Sequence, residues 1–175
     1  GISILLWQNW SLLNVGTRIL STFGASAAAY VIGVLFSRDA RTETVGLSFH
    51  LISALVMPLG LYVVLDASGF DALGFGAQSL ISAVLLGVYL LSYFVFRKNI
   101  FILFSIVFGT WFFLAFTNFL ASGSSLFGGW KFFEYRFLGV GIVYLLFGRF
   151  FSRSSIAPLS GPLYGFGALL FLGAA

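Results

Sequence analysis

The chain has no cysteine, one histidine and one methionine. The first absence excludes disulfides, thiol catalysis and thiolate metal ligation. A haem, zinc or copper site would have to combine His50 with Met57 or with carboxylates that lie elsewhere. Charge is also scarce. Charged residues make up 8% of the 175, whereas an ordinary soluble domain carries about 25%. That is too little polar surface to cover a water-soluble globule. No cluster of Lys and Arg with interleaved polar aromatics offers a nucleic-acid face. No basic stretch followed by a short apolar core and a small-residue cleavage site marks a signal peptide. No phosphate loop, nucleotide fingerprint or metal cluster is visible.

What is present is apolar. Hydrophobic residues are 60% of the chain and the mean hydropathy is +1.07. The charges cluster between apolar runs near 17–37, 45–65, 75–96, 100–121, 135–151 and 159–175. Most approach the ~20 residues that cross a ~30 Å hydrocarbon core as a helix. Hydrocarbon satisfies no open backbone groups, so helix is the default. A β-barrel would need alternating segments of about ten residues, and these runs are continuous. The expected fold is therefore all-α, a single polytopic bundle of about six spans. The fifth run becomes a full span if its helix begins within "WKFFEYR". Residues 1–13 read as the end of a preceding span or as an interfacial helix. The opening at Gly1 without Met, and a last run still apolar at Ala175, suggest that more chain lies on both sides.

The loops supply orientation. Arg38, Arg41, Arg97, Lys98, Arg149 and Arg153 fall in alternate loops, which leaves Arg18, Lys131 and Arg136 for the opposite side. The positive-inside rule places loops 38–44, 97–99 and 149–157 in the cytoplasm. Trp7, Trp10 and Trp130 sit where amphipathic indoles prefer to sit, at the membrane interface.

The stretch "ILLWQNWSLLNVGTRIL…SRDARTETVGLSFHLISALVMPLG" resembles a family of bacterial integral membrane proteins of unknown function. The matching positions are Asn9, Trp10, Arg18 and Gly46, in the first third of the chain. The resemblance implies a bacterial origin, a cytoplasmic-membrane location and an upstream part. It carries no catalytic residues.

Few residues could carry chemistry. His50 is the one candidate for a cofactor, as an ionisable group within a span; a helix-end histidine bonded to a carbonyl or water is the commoner case. "FGASAAAYVIG" resembles the serine-bearing helix of rhomboid intramembrane proteases at Gly24, Ala25 and Ser26, with Ala27 in place of the second glycine. A serine–histidine pair would need His50, which lies on the very next helix, whereas that family places its histidine two helices later. The alternative is a small-residue helix contact through Gly24 and Ala28, four apart and on one face. The five acids all lie in loops or at span ends, which counts against an ion relay within the spans. Pro58 should kink the second span. Gln78, Ser82, Thr117 and Asn118 are the polar groups expected to bond between helices. The Phe-rich fourth run could face lipid or line a pocket.

No cofactor, catalytic residue or metal is expected. The expected partners are membrane lipids and other membrane subunits, and no nucleic acid. The leading functional reading is a non-enzymatic structural or accessory membrane subunit. The alternatives are part of a transporter or channel for a neutral or lipid-like solute and, third, an intramembrane serine hydrolase.

Overall fold

Asn14 opens the first long helix. Its side-chain oxygen accepts from the Thr17 N–H at 2.8 Å and from the Thr17 hydroxyl at 2.9 Å, an N-cap that satisfies an orphan donor. The computed structural model describes residues 10–122, 130–153 and 157–173. Six helices account for most of them: α1 Val15–Phe36, α2 Glu43–Ala67, α3 Phe75–Phe96, α4 Asn99–Ala121, α5 Trp130–Phe151 and α6 Ser160–Gly173. No strand occurs among the described residues. The protein is all-α, and α1 to α4 are each long and apolar enough to cross a membrane. It is a multi-pass membrane protein. The helix ends fall within about two residues of the apolar runs at most boundaries. The exception is α5, which begins at Trp130. "WKFFEYR" is therefore the first turns of that helix. Helix α6 has 14 residues, and the end of its predicted run (174–175) lies outside the described residues. So do 1–9, with Trp7, and the side chain of Trp130.

Packing divides the chain into two units, up to Ile81 and from Ser82 onward. The first unit holds the α1–α2 hairpin. Helix α1 is interrupted by a π turn over Leu20–Gly24. The Ser21 and Thr22 hydroxyls both donate to the Arg18 carbonyl, at 3.1 and 2.8 Å. The Ala25 N–H then reaches back five residues to Leu20 O. Hydroxyls that bond back to the preceding turn compete with the regular ladder and distort it. Helix α2 carries Pro58 in its interior.

Three glycines set the hairpin's register. A Cβ on Gly60 would lie 2.6 Å from the Phe23 Cα; one on Gly33 would lie 2.8 Å from His50 Nδ1. One on Gly46 would overlap the Ser37 hydroxyl and lie 2.9 Å from the Gly33 carbonyl oxygen. Each step down α2 is matched by an equal step up α1, so a single antiparallel register holds along the contact. Lipid tails are as apolar as Leu, so close backbone approach replaces the hydrophobic effect as the force joining spans.

The second unit begins in α3. Helix α3 passes to α4 through Arg97 and Lys98 alone. Arg97 takes the left-handed conformation (φ 53°), and its N–H donates to Tyr93 O at 2.8 Å, a helix stop more often supplied by glycine. Tyr89 on α3 is fully buried and packs against Phe101, Phe104 and Phe108 of α4, with centroids 5.0 to 6.4 Å away. Helices α5 and α6 meet through two glycines. A Cβ on Gly141 would stand 3.0 Å from Gly167 O, and one on Gly167 would stand 3.0 Å from Gly141 O.

Candidate functional site

Side-chain hydroxyls in these helices are largely consumed locally. Ser79, Ser92, Ser105 and Thr117 each donate to the carbonyl four residues earlier. This satisfies a polar group without a partner helix and leaves apolar walls between helices. In the second unit such walls enclose a groove of about 520 Å³ between α3, α4 and α5, within the ~300–1,000 Å³ range of ligand sites. Its floor is formed by the buried residues Ile102, Ser105, Val140 and Tyr144, and its rim by the exposed Leu90, Phe94, Phe113, Val143 and Phe147. The groove therefore opens toward whatever surrounds the helices.

One polar pair crosses the groove wall. Thr110 Oγ1 donates to Ile106 O at 2.9 Å and lies 2.6 Å from the Tyr144 hydroxyl. With the threonine proton committed, the tyrosine is the donor. This chain of hydrogen bonds ties α4 to α5 and satisfies Tyr144, which is 9% exposed. Ile106, Thr110 and Tyr144 also line a second apolar cavity of about 230 Å³, on the side of α6. The Thr110–Tyr144 contact thus separates two cavities.

Arg136 counts as an opposite-side charge near the start of the fifth run (135–151); the helix start at Trp130 sets it deeper, six residues into α5, where it is 7% exposed. Its Nη1 donates to Asn118 Oδ1 at 2.7 Å and to Thr117 Oγ1 at 3.1 Å, with Leu114 O at 3.5 Å. The guanidinium lies 4.7 Å from the Phe132 ring centroid, a cation–π arrangement. A cation near the last carbonyls of α4 is also favoured by that helix's dipole. Thr117 and Asn118 do bond between helices, as expected. Gln78 donates to Leu73 O at 3.0 Å, and Ser82 is fully buried. The available signal for Arg136 was position: it lies six residues into a helix that starts at the first residue of "WKFFEYR".

The other candidates lie in the first unit. His50 is 1% exposed, with its ring edge-on to Tyr30 at 5.6 Å and stacked over Gly33. Ser26 is fully buried and donates to Phe23 O at 2.8 Å. The hairpin register places His50 opposite Gly33, seven residues and about 10 Å along α1 from Ser26. A serine–histidine pair is therefore not assembled. No group of three His, Asp or Glu side chains is gathered among the described residues. Gly24 touches Leu20 of its own helix, and Ala28 is exposed. The buried residues of this stretch are Ser26, Ala29 and Gly33, and Gly33 faces His50 of α2. Trp10 is half-buried in a short 3-10 turn, with the Arg18 guanidinium 5.6 Å over its ring. Comparison with protein-family models, curated proteins and solved structures finds no match.

Proposed function

We propose that the chain is a non-enzymatic integral membrane subunit that works through lipid and helix contacts, and that its second unit holds the hydrocarbon part of a lipid. The observation that carries this reading is the α3–α4–α5 groove: about 520 Å³, apolar, and open along a rim of exposed Leu, Val and Phe side chains. Of its polar lining groups, Ser105 and Thr110 donate within α4 and Tyr144 is bonded to Thr110, and the rest of the lining apart from Tyr93 is apolar, which suits an apolar occupant. We place the protein in a bacterial cytoplasmic membrane with loops 38–44, 97–99 and 149–157 on the cytoplasmic face. The alternation of basic loops and the resemblance carried by Asn9, Trp10, Arg18 and Gly46 support that placement.

The test is photocrosslinking in vesicles with a zwitterionic phospholipid that bears a diazirine in its acyl chain. Crosslinks should concentrate on Ile102, Val143 and Phe147. A Cβ at Gly139 would meet nothing within 4 Å, so Gly139→Leu can fill the groove without a clash and should abolish those crosslinks. Equal labelling of Leu55 or Leu169, which are exposed and outside the groove, would remove the reading.

A second reading rests on the wall shared by the two cavities. If Tyr144 can leave Thr110, the cavities join, which suits part of a pathway for a neutral, lipid-like solute. Tyr144→Ala would then raise solute flux across reconstituted vesicles.

A further inference from the structure

The groove runs along one half of its three helices. On α3 its lining extends from Leu86 to Phe94, on α4 from Ile102 to Phe113 and on α5 from Gly139 to Phe151. Helix α3 ends at Phe96 and α4 starts at Asn99, so Phe94 and Ile102 stand at one common end. The Thr110–Tyr144 and Arg136–Asn118 hydrogen bonds set α5 antiparallel to α4, which brings Phe151 to that end as well. From the helical rise, the lining starts within about 5 Å of this end and stops about 15 to 21 Å from it, on helices about 33 to 35 Å long. One leaflet of a ~30 Å hydrocarbon core is ~15 Å thick. The groove therefore has the length of a single acyl chain in a single leaflet.

Its two ends differ. Beyond Phe113 and Gly139, Arg136 of α5 reaches across to Thr117 and Asn118 of α4 at 3.1 and 2.7 Å. The two helices are joined directly there, and the lining goes no further. The other end is the polar one. Tyr93 belongs to the lining there, one turn before the end of α3, at the level where tyrosines favour the boundary between hydrocarbon and headgroups. Arg97 follows one turn later. It is exposed, and its N–H is bonded to Tyr93 O at 2.8 Å. Lys98, Arg149 and Arg153 fall at the same end. From Ser82 onward the sequence has one acid, Glu134, near the start of α5 and so at the opposite end.

We infer that the groove holds one acyl chain of a phospholipid drawn from the leaflet on the Arg97 side, with the phosphate at the mouth near Arg97 and the methyl end between Gly109, Phe113 and Gly139. This rests on the reading of the groove as a hydrocarbon site and names its occupant and the side from which it enters. The basic mouth is complementary to phosphate, whose oxygens match a guanidinium fork, and the apolar groove behind it is complementary to the chain. A diacylglycerol fills the groove equally but brings no phosphate to the mouth.

The experiment places the full chain in vesicles with diazirine-bearing phosphatidylcholine confined to one leaflet, the protein's orientation being read from Asn99→Cys. The readouts are Ile102 and Val140, both buried in the groove floor and about 12 Å apart in depth, so lipid that merely surrounds the helices does not reach them. With label in the leaflet of Arg97, a diazirine next to the ester should mark Ile102, and one at the methyl end of the chain should mark Val140. Label in the other leaflet should mark neither. Unlabelled diacylglycerol with the same chain should compete less well than unlabelled phosphatidylcholine. Arg97→Gly should erase that difference. Glycine suits the left-handed backbone at this position, so the charge is removed without straining the fold. Floor labelling from the opposite leaflet, or with the two probes exchanged, overturns the inference while leaving the hydrocarbon site standing. Equal competition by diacylglycerol in the parent, or an undiminished phospholipid advantage in Arg97→Gly, overturns it as well. Absence of floor labelling by every lipid removes the hydrocarbon reading itself.

Discussion

Gly33 of α1 lies directly against the imidazole of His50 on α2: a Cβ there would stand 2.8 Å from Nδ1 and 2.9 Å from Cε1. The buried histidine thus fits because the facing residue has no side chain. Gly33→Ala should destabilise the hairpin by about 1 to 3 kcal/mol through overpacking. His50→Ala removes the obstacle, so the double variant should lose less than the sum of the single losses. Thermal unfolding of the four proteins in detergent measures the coupling. Strict additivity would mean that the two residues do not share this space.

The small residue Gly60 of α2 and the small residue Ala28 of α1 should behave differently. Gly60 approaches the Phe23 backbone, which cannot move aside as a side chain can. Gly60→Leu is therefore expected to disrupt the hairpin. Ala28→Leu, on an exposed position, should change the stability of the isolated chain by no more than about 0.5 kcal/mol. If Ala28 and Gly24 meet a partner span, the same variant will weaken assembly with that partner in co-purification. Unfolding of the isolated Ala28→Leu chain would contradict this division of roles.

The Thr110–Tyr144 hydrogen bond should be a modest but measurable tie between α4 and α5. Interhelical hydrogen bonds in membranes contribute about 0.6 to 2 kcal/mol. Tyr144→Phe keeps the ring and deletes the hydroxyl, so a loss within that range is expected. Thr110→Val should have a smaller effect in the Tyr144→Phe background than in the parent. A double-mutant cycle showing zero coupling would dissolve the wall proposed between the two cavities.

Orientation can be read by accessibility. The chain lacks cysteine, so single introduced cysteines report cleanly. Thr42→Cys, before α2, and Asn99→Cys, at the start of α4, should label from one side of the membrane. Ser68→Cys, just after α2, should label from the other. Labelling of Thr42→Cys and Ser68→Cys from the same side would rule out α2 as a span.

The amino-acid sequence alone determined the solvent of this protein and the placement of its helices. Apolar runs of membrane length, ended by Arg38, Asp66 and Arg97, leave the backbone no alternative in hydrocarbon but helix. Boundaries such as Phe75–Phe96 were therefore legible without tertiary contacts. The exception, α5, shows why charge is an imperfect marker of a span's end. Arg136 lies inside the helix because Asn118 and Thr117, eighteen and nineteen residues earlier, receive its guanidinium. Only the tertiary structure decided which small residues make contacts. Gly24 and Ala28 share a face as well as Ser26, Ala29 and Gly33 do, since helical periodicity defines many faces. The choice fell to the register in which Gly60, His50 and Gly46 of α2 meet α1. The groove was likewise invisible in one dimension. It is a gap between three helices whose residues are individually ordinary lipid-facing Leu, Val and Phe, and only packing reveals which of them curve around a space.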